Sequence, residues 1–150
     1  MDAVDRKILA ELQNDGRLSL TELAERVKLS LSPCHRRLRA LEQSGAITGY
    51  KAQLDAATLG LGFETLVFVS MRDASRDTLI AFEREIGEIP HILQAQRLFG
   101  DPDYLLRVIA RDLRAFQTFY DEVLSGLPGV QRLTSTLVMK TVVEDRALPL

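Results

Sequence analysis

The side chains best suited to chemistry fall in two short stretches. The first runs Ser30-Leu31-Ser32-Pro33-Cys34-His35-Arg36-Arg37-Leu38-Arg39 and reaches Gln43. Clustered guanidiniums match phosphate oxygens and can grip the O6/N7 edge of guanine bidentately. Serine hydroxyls and the free N–H groups of a helix start suit phosphate oxygens too. The second stretch is Gly100-Asp101-Pro102-Asp103-Tyr104, joined later in the chain by Thr134-Ser135-Thr136. Its Gly, Asp and Pro are first of all turn residues. Two carboxylates in one loop can also hold an ammonium group, while backbone N–H groups take a carboxylate and hydroxyls add polar contacts. An amino acid or related metabolite is the ligand such a loop suits.

The first stretch needs a helix to present it. Ile8, Leu9 and Leu12 share one face of a helix from about Val4 to Asn14, which Asp15-Gly16 ends. Ser19 with Glu22 three residues on is a capping box, and Leu18 with Leu23 is a hydrophobic staple, so a second helix begins at Ser19 or Leu20. Lys28 to Leu31 form a short turn. Ser32 is then expected to cap a third helix with Pro33 at its first position. Cys34, Leu38 and Leu41 form its buried stripe. At 100° per residue, Arg36, Arg39 and Gln43 point outward, with His35 and Arg37 on the flanks. Gly45 ends the helix. Two short helices joined by a tight turn, the second with a basic outer face, predict a helix-turn-helix. Solvated arginines on an exposed face are the plain alternative. Ile47 to Leu54 is β-prone and reads as a short strand or wing, where Lys51 either touches phosphate or faces solvent.

The second stretch needs a sheet. Ile89-Pro90-His91-Ile92 recurs as Leu127-Pro128-Gly129-Val130 after 38 residues, each copy following an amphipathic helix with aromatic residues. Strands are predicted at Leu66–Met71, Ile92–Leu98, Tyr104–Ala110 and Val130–Lys140. The order β-α-β-β-α-β is the ferredoxin-like one. Both helices lie on one face of such a sheet, so a sheet-to-sheet homodimer is a natural way to cover the other. The fold class is therefore α+β. A winged helix-turn-helix occupies residues 1–54, a Gly60/Gly62 hinge residues 55–62, and a ferredoxin-like domain residues 63–150.

Composition narrows the function. Residues 1–54 carry a net +2 and residues 55–150 a net −4, a split that sets a DNA-facing front against a differently employed back. No apolar run reaches the roughly 18 to 20 residues of a membrane span. The N-terminus lacks the basic and apolar regions of a signal peptide. A single cysteine, Cys34, fits a reducing cytoplasm and reads as a core residue. Catalysis lacks its parts. His35 and His91 have no partner by spacing, and C-x-x-C, H-E-x-x-H and phosphate-loop motifs are absent, so neither enzyme nor cofactor is expected. A winged helix that binds protein instead of DNA is the other rival.

Taken in order, these motifs resemble the Lrp/AsnC (feast/famine) regulators over nearly the whole chain. The matching residues are Asp5-Arg6-Lys7-Ile8-Leu9, Leu12 to Arg17, Leu29-Ser30-Leu31-Ser32-Pro33-Cys34, Arg37-Leu38, Leu41-Glu42, Gly45-Ala46-Ile47 and Tyr50. Gly100 to Tyr104, Leu127 to Val130 and Leu148-Pro149-Leu150 follow. The resemblance implies binding of double-stranded DNA by dimers that often assemble into octamers. It places the recognition helix at Ser32 to Gln43. It also implies an amino-acid effector in a cleft between subunits, to which Gly100, Asp101, Asp103 and Tyr104 contribute.

Overall fold

The computed structural model describes residues 1–150, arranged in two compact units. One contains residues 1–53 together with 142–150, the other residues 54–141.

The first unit is built on α1 (Ala3–Asn14), α2 (Leu20–Val27) and α3 (Leu31–Gln43). Asp2 caps α1 in a reciprocal box with Asp5, and Ser19 caps α2 in one with Glu22, as its spacing predicted. The α2–α3 turn rests on Lys28, which adopts the left-handed conformation at φ 57°. Its N–H and that of Leu29 return to the last α2 carbonyls. The start of α3 differs from the reading of Ser32 as cap. Ser30 is the N-cap, and the first helical hydrogen bond runs from the Cys34 N–H to the Ser30 carbonyl at 3.2 Å. Pro33 thus sits at the third position, where its missing N–H still costs no bond. Gly45, at φ 76°, stops the helix. Ile8, Leu23, Cys34 and Leu41 form the buried centre.

Residues 46–53 hold no strand, where a short strand was one expectation. A lone β-prone segment needs a partner ladder, and this unit has no other strand to offer one. The tail also departs from the expected boundary. The Gln13 side-chain amide donates to the Leu148 carbonyl and accepts from its N–H, both at 2.9 Å. That reciprocal pair puts the closing residues with the helices instead of with the sheet.

The second unit contains β1 (Phe63–Met71), α4 (Arg76–Gly87), β2 (Ile92–Arg97), β3 (Tyr104–Ala110), α5 (Leu113–Glu122) and β4 (Val130–Leu137). The sheet order is β2-β3-β1-β4 with every pair antiparallel, the ferredoxin-like topology. Residues 55–62, expected as a hinge, fold into a turn: the Leu61 N–H bonds the Ala56 carbonyl at 2.8 Å and the Thr58 N–H bonds Asp55 Oδ1 at 2.6 Å. β4 stops three residues short of its predicted end. β1 begins at Phe63, and Val138 makes the last bond, to the Glu64 carbonyl, so there is nothing further to pair with.

Val67, Val69, Leu106 and Val108 point to the helix-covered face and are fully buried with Phe82 and Leu124. The two repeat turns differ in one residue that matters. Gly129 has φ 72°, and a Cβ there would lie 2.2 Å from Thr78 Cγ2 and 3.0 Å from Met71 Cε. Only glycine meets both demands.

Candidate nucleic-acid interface and effector loop

α3 presents its polar residues unequally. His35, Arg36, Arg39 and Gln43 are exposed and make no hydrogen bond or ion pair, as does Lys51 on the strandless segment. Ser30 and Ser32 are exposed at the helix start, and neither hydroxyl caps it. The open N–H groups and partial positive charge of the first turn therefore face outward beside two unpaired guanidiniums. This is the arrangement that receives anionic backbone and base edges.

Arg37 is different. One of its nitrogens, Nη1, donates to Asp2 Oδ2 at 2.7 Å and to Asp5 Oδ1 at 2.8 Å. The guanidinium is thereby raised further above its ordinary value, by the Asp5 bond first and the Asp2 bond next. Arg37 lies on the flank of the helix that its spacing predicts, and there α1 brings two acids to it.

The loop between β2 and β3 is the reverse case. Asp103 Oδ2 accepts from the Met71 N–H at 2.7 Å, and the Asp103 N–H donates to the Val69 carbonyl at 2.9 Å. The loop is thus stitched to the end of β1. Tyr104 is buried, its ring 4.6 Å from that of Phe82, and its hydroxyl donates to Glu83 Oε1 at 2.8 Å. Burial, then the Glu83 hydrogen bond, push the phenol up. The Tyr104 hydroxyl first, and Arg97 second, hold Glu83 below the usual carboxylate range. Gly100 and Asp101 remain exposed at the tip, and the Asp101–Pro102 peptide is cis.

Asp101 has two neighbours that are distant from it in sequence. Its Oδ1 accepts from the Ser70 hydroxyl at 3.1 Å, and Oδ2 lies 3.9 Å from Arg132. Ser70 and Arg132 pair across β1 and β4, so the sheet register delivers both to the loop. Only the strand pairing carries that information, since the residues lie 31 and 62 positions apart from Asp101 and from each other.

The three hydroxyls of β4 do not form one group. Thr134 and Thr136 pair with Phe68 and Leu66, on the face the helices leave open, and share it with Arg132. Ser135 pairs with the buried Val67 and so belongs to the opposite face. The open face also carries Leu66, Phe68 and Leu105, each half-buried.

A helix-turn-helix with unpaired cations on its second helix, followed in the chain by a ferredoxin-like unit, defines a DNA-binding protein with a second, separate domain. Residues 1–48 match the model of the winged helix-turn-helix DNA-binding domain, and residues 64–148 match the Lrp/AsnC ligand-binding domain. The chain belongs to the Lrp/AsnC family of transcriptional regulators. It is 41% identical to a Bkd operon transcriptional regulator of Pseudomonas aeruginosa, over 100% of this chain and 98% of the relative. It is 40% identical to a proline dehydrogenase transcriptional activator of Rhodobacter capsulatus, over 98% and 96%. Among solved structures, a transcriptional regulator of Neisseria meningitidis in complex with L-Met matches with a TM-score of 0.94 and 38% identity, over 99% of this chain and 96% of that one. The protein is thus a regulator of transcription and not an enzyme. No helix is long and apolar enough to cross a membrane.

Proposed function

We propose that the chain binds duplex DNA as a homodimer, each α3 entering a major groove, and that an amino acid or related metabolite alters its grip. Arg36 and Arg39 are the base and phosphate readers. Ser30, Ser32, His35 and Gln43 frame the contact, and Lys51 adds a phosphate contact from the side. The single observation carrying this reading is that the outward arginines of α3 have no partner in the chain, whereas its flanking arginine does. Half-sites spaced about one helical turn, or a multiple of it, follow from two such helices in a dimer.

The effector site we propose lies beside Gly100 and Asp101, between subunits. Asp101 supplies the carboxylate for an ammonium group, Thr134 and Thr136 face the same side of the sheet, and Asp103 and Tyr104 hold the loop in shape. The L-Met complex of the Neisseria regulator supports an amino acid as the class. Leu66, Phe68 and Leu105, apolar and only half-buried on the face opposite the helices, support closure by a second sheet, with octamers as the higher assembly. The work is cytoplasmic, where the DNA is.

The test is a thermal-melt screen of the purified protein against common amino acids and their keto-acid relatives. A ligand at about 100 times its Kd adds roughly 2.7 kcal/mol of apparent stability. A hit that Asp101→Ala abolishes supports the site. A hit that survives Asp101→Ala unchanged moves it elsewhere.

A further inference from the structure

α1 holds the helix-turn-helix with charge at both of its ends. Glu11, near its C-terminus, accepts a hydrogen bond from Arg26 of α2 at 3.1 Å. Asp2 and Asp5, at its start, share Nη1 of Arg37 on α3. These two acids are already fixed by the α1 cap. Asp2 Oδ1 accepts from the Asp5 N–H, and the Asp2 N–H donates to Asp5 Oδ2, both at 2.9 Å. Each carboxylate thus spends one oxygen on the cap and the other on Arg37. The Asp5 N–H, then Arg37, hold Asp2 below the usual carboxylate range, and the Asp2 N–H, then Arg37, do the same for Asp5. Ordering this cradle costs little more than forming α1 itself.

We propose that Arg37 is a positioning residue for DNA recognition: seated on Asp2 and Asp5, it fixes the rotation of α3 so that Arg36 and Arg39 meet the bases, and it does not bind phosphate. Two carboxylates on one guanidinium leave the trio net negative, so an approaching phosphate is repelled there. Arg37 is 31% exposed, while Asp5 beside it is 17% exposed. Arg36 lies 100° further round the helix, on the open side. Exposed ion pairs add little stability, so what the cradle supplies is orientation. Bidentate base contacts demand it, because they fade with small changes in distance and angle. The proposal rests on α3 being the helix that reads DNA.

The experiment measures fluorescence anisotropy of the full chain on two duplexes over a salt series. One duplex is enriched from a random pool by the unaltered protein, the other is a shuffled sequence of the same length. Arg37→Ala and the double variant Asp2→Asn, Asp5→Asn are each expected to lower affinity for the enriched duplex by about three- to tenfold, as expected for misaimed base contacts. For Arg37→Ala, affinity for the shuffled duplex and the salt slope stay close to unchanged; the double variant, whose trio turns from net negative to net positive, gains modestly on the shuffled duplex while losing on the enriched one. Asparagine caps as well as aspartate does, so the double variant keeps α1 and serves if Arg37→Ala fails to fold. The proposal is overturned if the double variant binds both duplexes more tightly, or if Arg37→Ala makes the slope of log K against log salt shallower by roughly 0.9, the mark of one lost phosphate contact. Arg36→Ala separates the two readings. If it leaves both affinities untouched, α3 is not the reading helix, and the function proposed for it fails rather than the cradle alone.

Discussion

Set beside each other, α3 and the Gly100–Tyr104 loop handle charge in opposite ways. Arg36 and Arg39 project from a helix whose own fold makes no use of them. Asp103 and Tyr104 are each committed to intrachain bonds. A protein surface built to receive a large polyanion keeps its cations unpaired, because each pairing would have to be undone on binding. A loop built to hold one small molecule must first be held itself, so most of its polar atoms serve the scaffold. On the function proposed above, the difference separates residues that would contact a partner from residues that would shape the contact.

The double variant Arg36→Ala, Arg39→Ala is expected to weaken duplex binding by roughly a hundredfold, since each lost base or phosphate contact costs on the order of 1–3 kcal/mol. Urea unfolding should move by less than about 0.5 kcal/mol, because both side chains are exposed and make no hydrogen bond or ion pair. A large loss of stability would put these arginines on the scaffold side. The next effect belongs to the loop. Asp103→Ala should destabilise the C-terminal unit by about 1.5–3 kcal/mol through the uncapped Met71 N–H, read by urea unfolding. A variant of unchanged stability would place Asp103 with the ligand-contacting residues instead. Tyr104→Phe is expected to cost about 1 kcal/mol, one net hydrogen bond to Glu83.

The smallest effect is a matter of pH. The folded pKa of Glu83 lies below its unfolded value of about 4.3. Its contribution to stability is therefore present above that value and is lost as pH falls through the lower folded one. Tyr104→Phe removes the first cause of that depression, so the variant should lose less stability between neutral pH and the acid limb. Unfolding midpoints taken across that range would show the narrowing, and parallel curves for the two proteins would contradict it.

How much of this was written in the amino-acid order depends on how far apart the interacting residues are. The capping box at Ser19 and Glu22 spans three positions and was readable, as were the stripe through Cys34 and Leu41 and the ferredoxin-like order of elements. The seating of Arg37 on Asp2 and Asp5 spans 35 and 32 positions, and the Glu83–Tyr104 bond spans 21. No periodicity reports on such pairs; the tertiary fold makes them. The short strand expected after α3 is absent for a related reason. β-propensity in Ile47–Leu54 is a local signal, whereas a strand is a property of a pair. The cap of α3 was misplaced by two residues because Pro33 is tolerated anywhere in the first turn, so it marks a helix start without fixing it.

The placing of Cys34 has a practical reach beyond packing. It is the chain's one cysteine and is fully buried in the three-helix core, where burial also pushes its thiol up. In the closed state it is therefore inert to thiol reagents. It becomes reactive when the helices separate. The molecule thus carries a natural clock on its DNA-binding half: the rate at which an aromatic disulfide labels Cys34 reports how often that half opens by itself.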